Sequence, residues 1–160
     1  MIKSHTIVDN LIIFNFVISI LEIYCIRIWE RTMELLKWKD EYSMHELEID
    51  KQHKRLFELS NEIYDLVEQG IDDQEHFRDL FIALNDYSIE HFIYEEIYIQ
   101  EEGFPGLEAH IQQHLQFNKK LKKLIEQERH VEDIGAFVTT WLVQHVIEED
   151  MKYEKFISNK

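Results

Sequence analysis

LEAHIQQHLQFNKKLKKLIEQ, residues 107–127, decides the fold. Leu115, Phe117, Leu121, Leu124 and Ile125 recur at mostly helical intervals and predict one buried stripe. Lys119, Lys120, Lys122 and Lys123 read as its solvated face. Within the same stretch, HIQQH (110–114) sets His110 and His114 four positions apart, so both imidazoles share one face, one turn apart. That is how a helix grips a metal. It is also weak evidence alone, because the chain has nine histidines in 160 residues. The zinc-peptidase pattern needs a glutamate second, and Ile111 stands there, so a peptidase is disfavoured.

Working outward, three more stretches read as helices. From Lys51 to about Gln69, Leu56, Leu59, Ile63, Leu66 and Val67 form a stripe, with Asp50 placed as N-cap and Gly70 as C-cap. A second helix runs over Gln74–Glu101, with Phe77, Leu80, Phe81, Leu84, Tyr87 and Phe92 inward. GFPG (103–106), which holds the sole proline, ends it. The fourth runs from about Glu132 to Phe156. No strand alternation competes. Four long helices with short connections define an all-α fold, an up-down-up-down antiparallel four-helix bundle with an N-terminal arm. The arm is residues 34–50, anchored by Trp38 and Tyr42.

Composition agrees. Hydrophobic residues make up 45%, enough for a core, while four glycines and one proline leave little for many turns. A net charge of −15 argues against nucleic acid and anionic lipid as partners. The single cysteine, Cys25, rules out an internal disulfide and thiolate metal sites, and it fits a reducing, cytoplasmic location.

Residues 1–32 differ from the rest. Nine of their residues are isoleucine, against 13 in the other 128. Asp9, Asn10, Asn15 and Glu22 interrupt the apolar run, which falls short of the ~20 residues a membrane helix needs. Three readings fit: a hydrophobic extension or weak membrane anchor, a non-native stretch upstream of a start at Met33, or a partner-binding helix. The expected domain is residues 33–160.

Polar residues interrupt every helix where the bundle should be apolar. Helix 1 offers His53, helix 2 His91 and Glu95, helix 3 His110 and His114, helix 4 His145 and Asp150. In antiparallel order all seven fall at one end of the bundle. Buried ionisable groups at that density need a cation. His145 and Asp150 are five positions apart, about 140° around an ideal helix. Both point inward only if the helix is distorted, so a π-type irregularity is predicted near 146–150. Five imidazoles, two bridging carboxylates and one bridging oxo or hydroxo group supply eleven bonds to two octahedral metals, leaving one position open. Nitrogen and oxygen donors without sulfur suit iron above manganese or zinc.

These residues resemble the hemerythrin family in its bacterial single-domain form. The match rests on WKDEYSMHELEIDKQHKRLF (38–57), YSIEHFIYEE (87–96), HIQQH (110–114) and WLVQHVIEED (141–150). The resemblance implies a non-heme centre of two iron ions, without heme, and reversible binding of dioxygen for carriage, storage or sensing. His110, His114 and His145 would hold one iron, and His53 and His91 the other, with Glu95 and Asp150 bridging. Trp141, Leu142 and Val146 would line an apolar oxygen pocket. Gln52 and Glu96 adjoin ligands and are candidate partners for the outer imidazole nitrogens. His5, His45, His76 and His130 fall outside the pattern and are expected to be exposed. The competing class is a di-iron redox enzyme handling iron, peroxide or nitric oxide. Ferritin-like enzymes of that kind use Glu-x-x-His pairs, and this chain has none, which favours a binding protein over an enzyme.

Overall fold

A computed structural model describes residues 35–71, 73–127 and 129–160. The expectations for residues 1–32 and for His5 lie outside these. The arm makes a 3-10 turn at Asp40–Tyr42. Four helical rods follow: α1 (Leu47–Glu68), α2 (Gln74–Glu101), α3 (Leu107–Glu126), and a fourth built from α4 (Val131–Gln144), a π-helical turn (His145–Asp150) and α5 (Met151–Ser158). The backbone stays right-handed helical through both junctions of this last rod. α1 packs on α2 and α4, and α3 packs on α2 and α4, which closes the four-helix bundle. Among the described residues no helix is long and apolar enough to cross a membrane.

The helix ends explain the short connections. Gly70 and Gly103 have φ of 64° and 66°. At each, two backbone bonds close a left-handed stop: Gly70 N–H to Val67 O (2.9 Å) with Ile71 N–H to Leu66 O (3.1 Å), and Gly103 N–H to Gln100 O (2.9 Å) with Phe104 N–H to Ile99 O (3.0 Å). A side chain at Gly106 would meet the Phe104 ring at 2.6 Å. That ring lies edge-on to Tyr153, 6.3 Å between centroids. The GFPG turn is thereby tied to the fourth rod.

The core runs the length of the bundle through Leu56, Ile63, Leu84, Phe117, Leu121 and Val138, all nearly inaccessible. Leu115 departs from the expected stripe and is 55% exposed. His110, His114, Phe117 and Leu121 set the inward phase of α3, and the residue after His114 is turned about 100° away.

The start of α1 also differs from expectation. It begins at Leu47, and its cap is Glu46, whose carboxylate accepts from Ile49 N–H at 2.6 Å. Asp50 instead lies inside the first turn and ties down the arm, accepting from Met44 N–H (2.7 Å) and Ser43 Oγ–H (2.5 Å). Asn61 holds the arm further back, bonding both N–H and C=O of Leu36. Trp38 and Tyr42 then pack on Phe57, each 6.2 Å between centroids, so they anchor the arm as expected. Asp50→Ala is expected to cost about 1–2 kcal/mol in urea unfolding, to expose Trp38 to fluorescence quenchers, and to leave metal content unchanged.

Candidate metal centre

The π-helical turn is the local feature that builds the site. It spans His145–Asp150 and places both residues at or below 4% exposure. The extra residue in the turn absorbs the misfit of a five-residue spacing. The seven side chains meet at one end of the bundle and all are buried: His53, His91, Glu95, His110, His114, His145 and Asp150.

Their donor atoms fall into two sets that share Glu95. One is Glu95 with His110, His114 and His145; the other is Glu95 with His53 and His91. Glu95 Oε2 lies 3.1 Å from His110 Nε2 and 3.2 Å from His114 Nε2. Glu95 Oε1 is 3.9 Å from His53 Nε2, and Oε2 is 3.9 Å from His91 Nε2. Asp150 Oδ1 lies 3.1 Å from His145 Nε2 and 3.5 Å from His110 Nε2, and its Oδ2 lies 3.3 Å from His53 Nε2. Asp150 therefore reaches toward both sets.

The arrangement fits a cation better than a self-contained network. His114 Nε2 and His145 Nε2 are 2.8 Å apart. Two nitrogens about 2.1 Å from one ion and at right angles stand about 3 Å apart. Both nitrogens of His53 and both carboxylate oxygens of Asp150 are buried without a hydrogen bond. They sit within ion-pair distance of each other but are not aligned for bonding. Leaving such atoms unpaired is costly, and a metal would satisfy His53 Nε2 and the Asp150 oxygens. The outer nitrogens support the same reading. His114 Nδ1–H donates to Glu96 Oε1 at 2.8 Å, and His91 Nδ1 pairs with Gln52 Oε1 at 3.0 Å. Each such bond fixes the ring and turns Nε2 inward as a free donor.

Electrostatics agree. Burial lowers the pKa of His53, His91 and His145, that of His91 to about 3. These imidazoles are neutral at pH 7, the form that ligates. Burial opposes ionisation of Glu95, yet the imidazoles of His91 and His110 beside it hold it well below the usual carboxylate range. Burial and the charge of Glu95 push Asp150 well above it. Two carboxylates in one dry site cannot both stay charged without a cation between them.

Aromatic rings wall the centre. Phe92 stacks on His114 at 3.8 Å and 8°. Trp141 stacks on His145 at 4.2 Å and 15° and meets Phe117 at 4.2 Å. Leu142 and Val146 are 1% and 2% exposed, while Trp141 is half-buried. His45, His76 and His130 lie on the surface, as expected from the sequence. Tyr153 was not anticipated. It is fully buried and its hydroxyl donates to Glu95 Oε1 at 2.8 Å. Burial first, then Glu95, keeps that phenol protonated, far above its ordinary pKa. The one signal for it in the sequence is its spacing three residues beyond Asp150, which shares a face once α5 has resumed.

A helical bundle with a buried, histidine-rich, two-part donor set defines a cation-binding protein. Residues 47–157 match the family model described as the hemerythrin HHE cation binding domain, and the chain belongs to the hemerythrin family. It is 31% identical over 124 residues to a bacteriohemerythrin of Clostridium acetobutylicum, covering 72% of this chain and 96% of that one. A bacteriohemerythrin of Pseudomonas aeruginosa is 29% identical over 127 residues, 76% of this chain and 80% of that one. A solved crystal structure of a leucine-to-phenylalanine mutant superposes with a TM-score of 0.68 at 26% identity, covering 79% of this chain and 99% of that one.

Proposed function

We propose that this protein binds dioxygen reversibly at a non-heme di-iron centre bridged by Glu95, Asp150 and an oxo or hydroxo group, and that it is a binding protein rather than an enzyme. The observation that carries this is the division of five buried histidines into a set of three and a set of two around a shared Glu95, with the buried Asp150 reaching toward both. His110, His114 and His145 would hold one iron, and His53 and His91 the other. Such a bridged pair supplies, when bound, the reversible electron exchange that dioxygen binding needs.

The chain's own residues set the conditions. Five imidazoles against two carboxylates make a donor set of low negative charge, which favours binding oxygen over activating it. Glu96 and Gln52 orient His114 and His91 through their outer nitrogens. Trp141, Leu142 and Val146 keep the oxygen side apolar and exclude water. Phe92 covers one face of the His114 ring by stacking on it. The functional unit is residues 33–160. A cytoplasmic location suits the single cysteine, and a net charge of −15 suits a protein that meets no nucleic acid.

His110→Ala tests the assignment. It removes one donor from the three-histidine set and leaves Glu95 Oε2 without its 3.1 Å partner. Iron per chain, measured by metal analysis after reconstitution, is expected to fall by at least half. Unchanged iron content would overturn the assignment of this set.

A further inference from the structure

The two oxygens of Glu95 are not equivalent. Oε2 faces His110 Nε2 (3.1 Å) and His114 Nε2 (3.2 Å). Oε1 is the oxygen turned to His53 Nε2, at 3.9 Å, and it already accepts the Tyr153 hydroxyl at 2.8 Å. Tyr153 has no exposure to solvent. Its ring is pinned by Phe104 (6.3 Å), Tyr98 (6.4 Å) and His110 (5.9 Å between centroids). The hydroxyl therefore stays on Oε1.

A lone pair given to a hydrogen bond is a weaker donor to a cation. Oε2 also lies 3.9 Å from His91 Nε2, but a carboxylate shared by two metals gives one oxygen to each, and Oε2 sits closest to the three-histidine set, so the weakened Oε1 is the oxygen left for the set that has only two histidines. We infer that Tyr153 is a positioning residue that makes the Glu95 bridge asymmetric, so that the metal held by His53 and His91 is the more weakly bound of the two. This rests on the two-metal reading above and adds an order of binding and release to it. The consequence is that the site next to the oxygen position fills last and empties first, while the three-histidine set keeps its metal.

The test uses the full chain loaded anaerobically with ferrous iron, and follows release to a chromogenic chelator. The wild-type chain is expected to release iron in two phases of equal amplitude. His53→Ala is expected to lose the fast phase and keep the slow one, which assigns the phases. Tyr153→Phe keeps the ring and removes only the hydroxyl. It is expected to slow the fast phase on the order of tenfold, the scale of a hydrogen bond to a charged group, and to leave the slow phase alone. A stronger donor at Oε1 also favours ferric iron, so the midpoint potential of the centre is expected to fall. A merely structural tyrosine moves neither in that direction, since loosened packing speeds release. Site-specific 2,3-difluorotyrosine at 153, a better hydrogen-bond donor of nearly the same size, is expected to speed the fast phase. It keeps the question decidable if the phenylalanine variant folds poorly. Two irons with a fast phase unchanged or accelerated in Tyr153→Phe would overturn the role of Tyr153 alone. Binding of no iron, or of a single iron, would overturn the two-metal reading and this inference with it.

Discussion

Glu95→Gln is expected to empty both halves of the centre at once. Glu95 is common to both donor sets, and glutamine keeps its size while removing the charge. Affinity for the metal pair is expected to fall by at least about a hundredfold, since even partners that only orient a ligand are worth ten- to a hundredfold. The fold is expected to survive. Tyr153 still has an amide oxygen to bond, and Asp150 no longer faces a second carboxylate, whose charge contributes to the rise in its pKa. The metal-free variant is therefore expected to be as stable as the metal-free parent, or more so, while the parent loaded with iron stands well above both. Metal analysis together with thermal unfolding of all four species checks this. A variant that holds two irons would contradict the role assigned to Glu95.

Removing the metal is the second large effect. A ligand present at a thousand times its dissociation constant stabilises the folded chain by about 4 kcal/mol, and for a domain of this size chelation is expected to lower Tm by roughly 10–20 °C. The loss is expected to grow in acid. The pKa values of His53, His91 and His145 are all lowered by burial, that of His91 to about 3 from its ordinary 6.5. As pH falls below 6.5 the unfolded chain takes up protons that these three groups refuse in the folded, metal-free chain, His91 until about pH 3. Stability from these groups is present above pH 6.5 and lost across that window. Asp150, raised by burial, pulls the opposite way, but it is one group against three. Melting curves of the chelated protein between neutral pH and pH 4 read the slope; a metal-free protein that melts as high as the loaded one would contradict the account.

Much of this was legible in the sequence, because helices of this length declare themselves by period. Histidines four apart on one helix, and the seven polar residues that interrupt four apolar stripes, were enough to place the site at one end. Even the π-helical turn followed from geometry, since His145 and Asp150 cannot share a face on a regular helix. What escaped was local. Asp50 has the stronger propensity to cap, yet Glu46 takes that role because the arm needs Asp50 for Met44 and Ser43. Leu115 is apolar but follows an inward histidine, so it faces solvent. Tyr153 lies beyond the π-helical turn, where a uniform helical period loses its phase, and only the folded chain shows its hydroxyl on Glu95.

The central claim is reversible oxygen binding at two irons, and one optical experiment tests it most directly. The full chain is loaded with ferrous iron without oxygen, its iron counted, and its visible spectrum recorded before oxygen, with oxygen, and after oxygen is removed. The account predicts two irons per chain and a visible band that appears with oxygen and disappears when oxygen is withdrawn, over repeated cycles. A one-way change to a ferric spectrum, or a chain that takes up no iron, would contradict it.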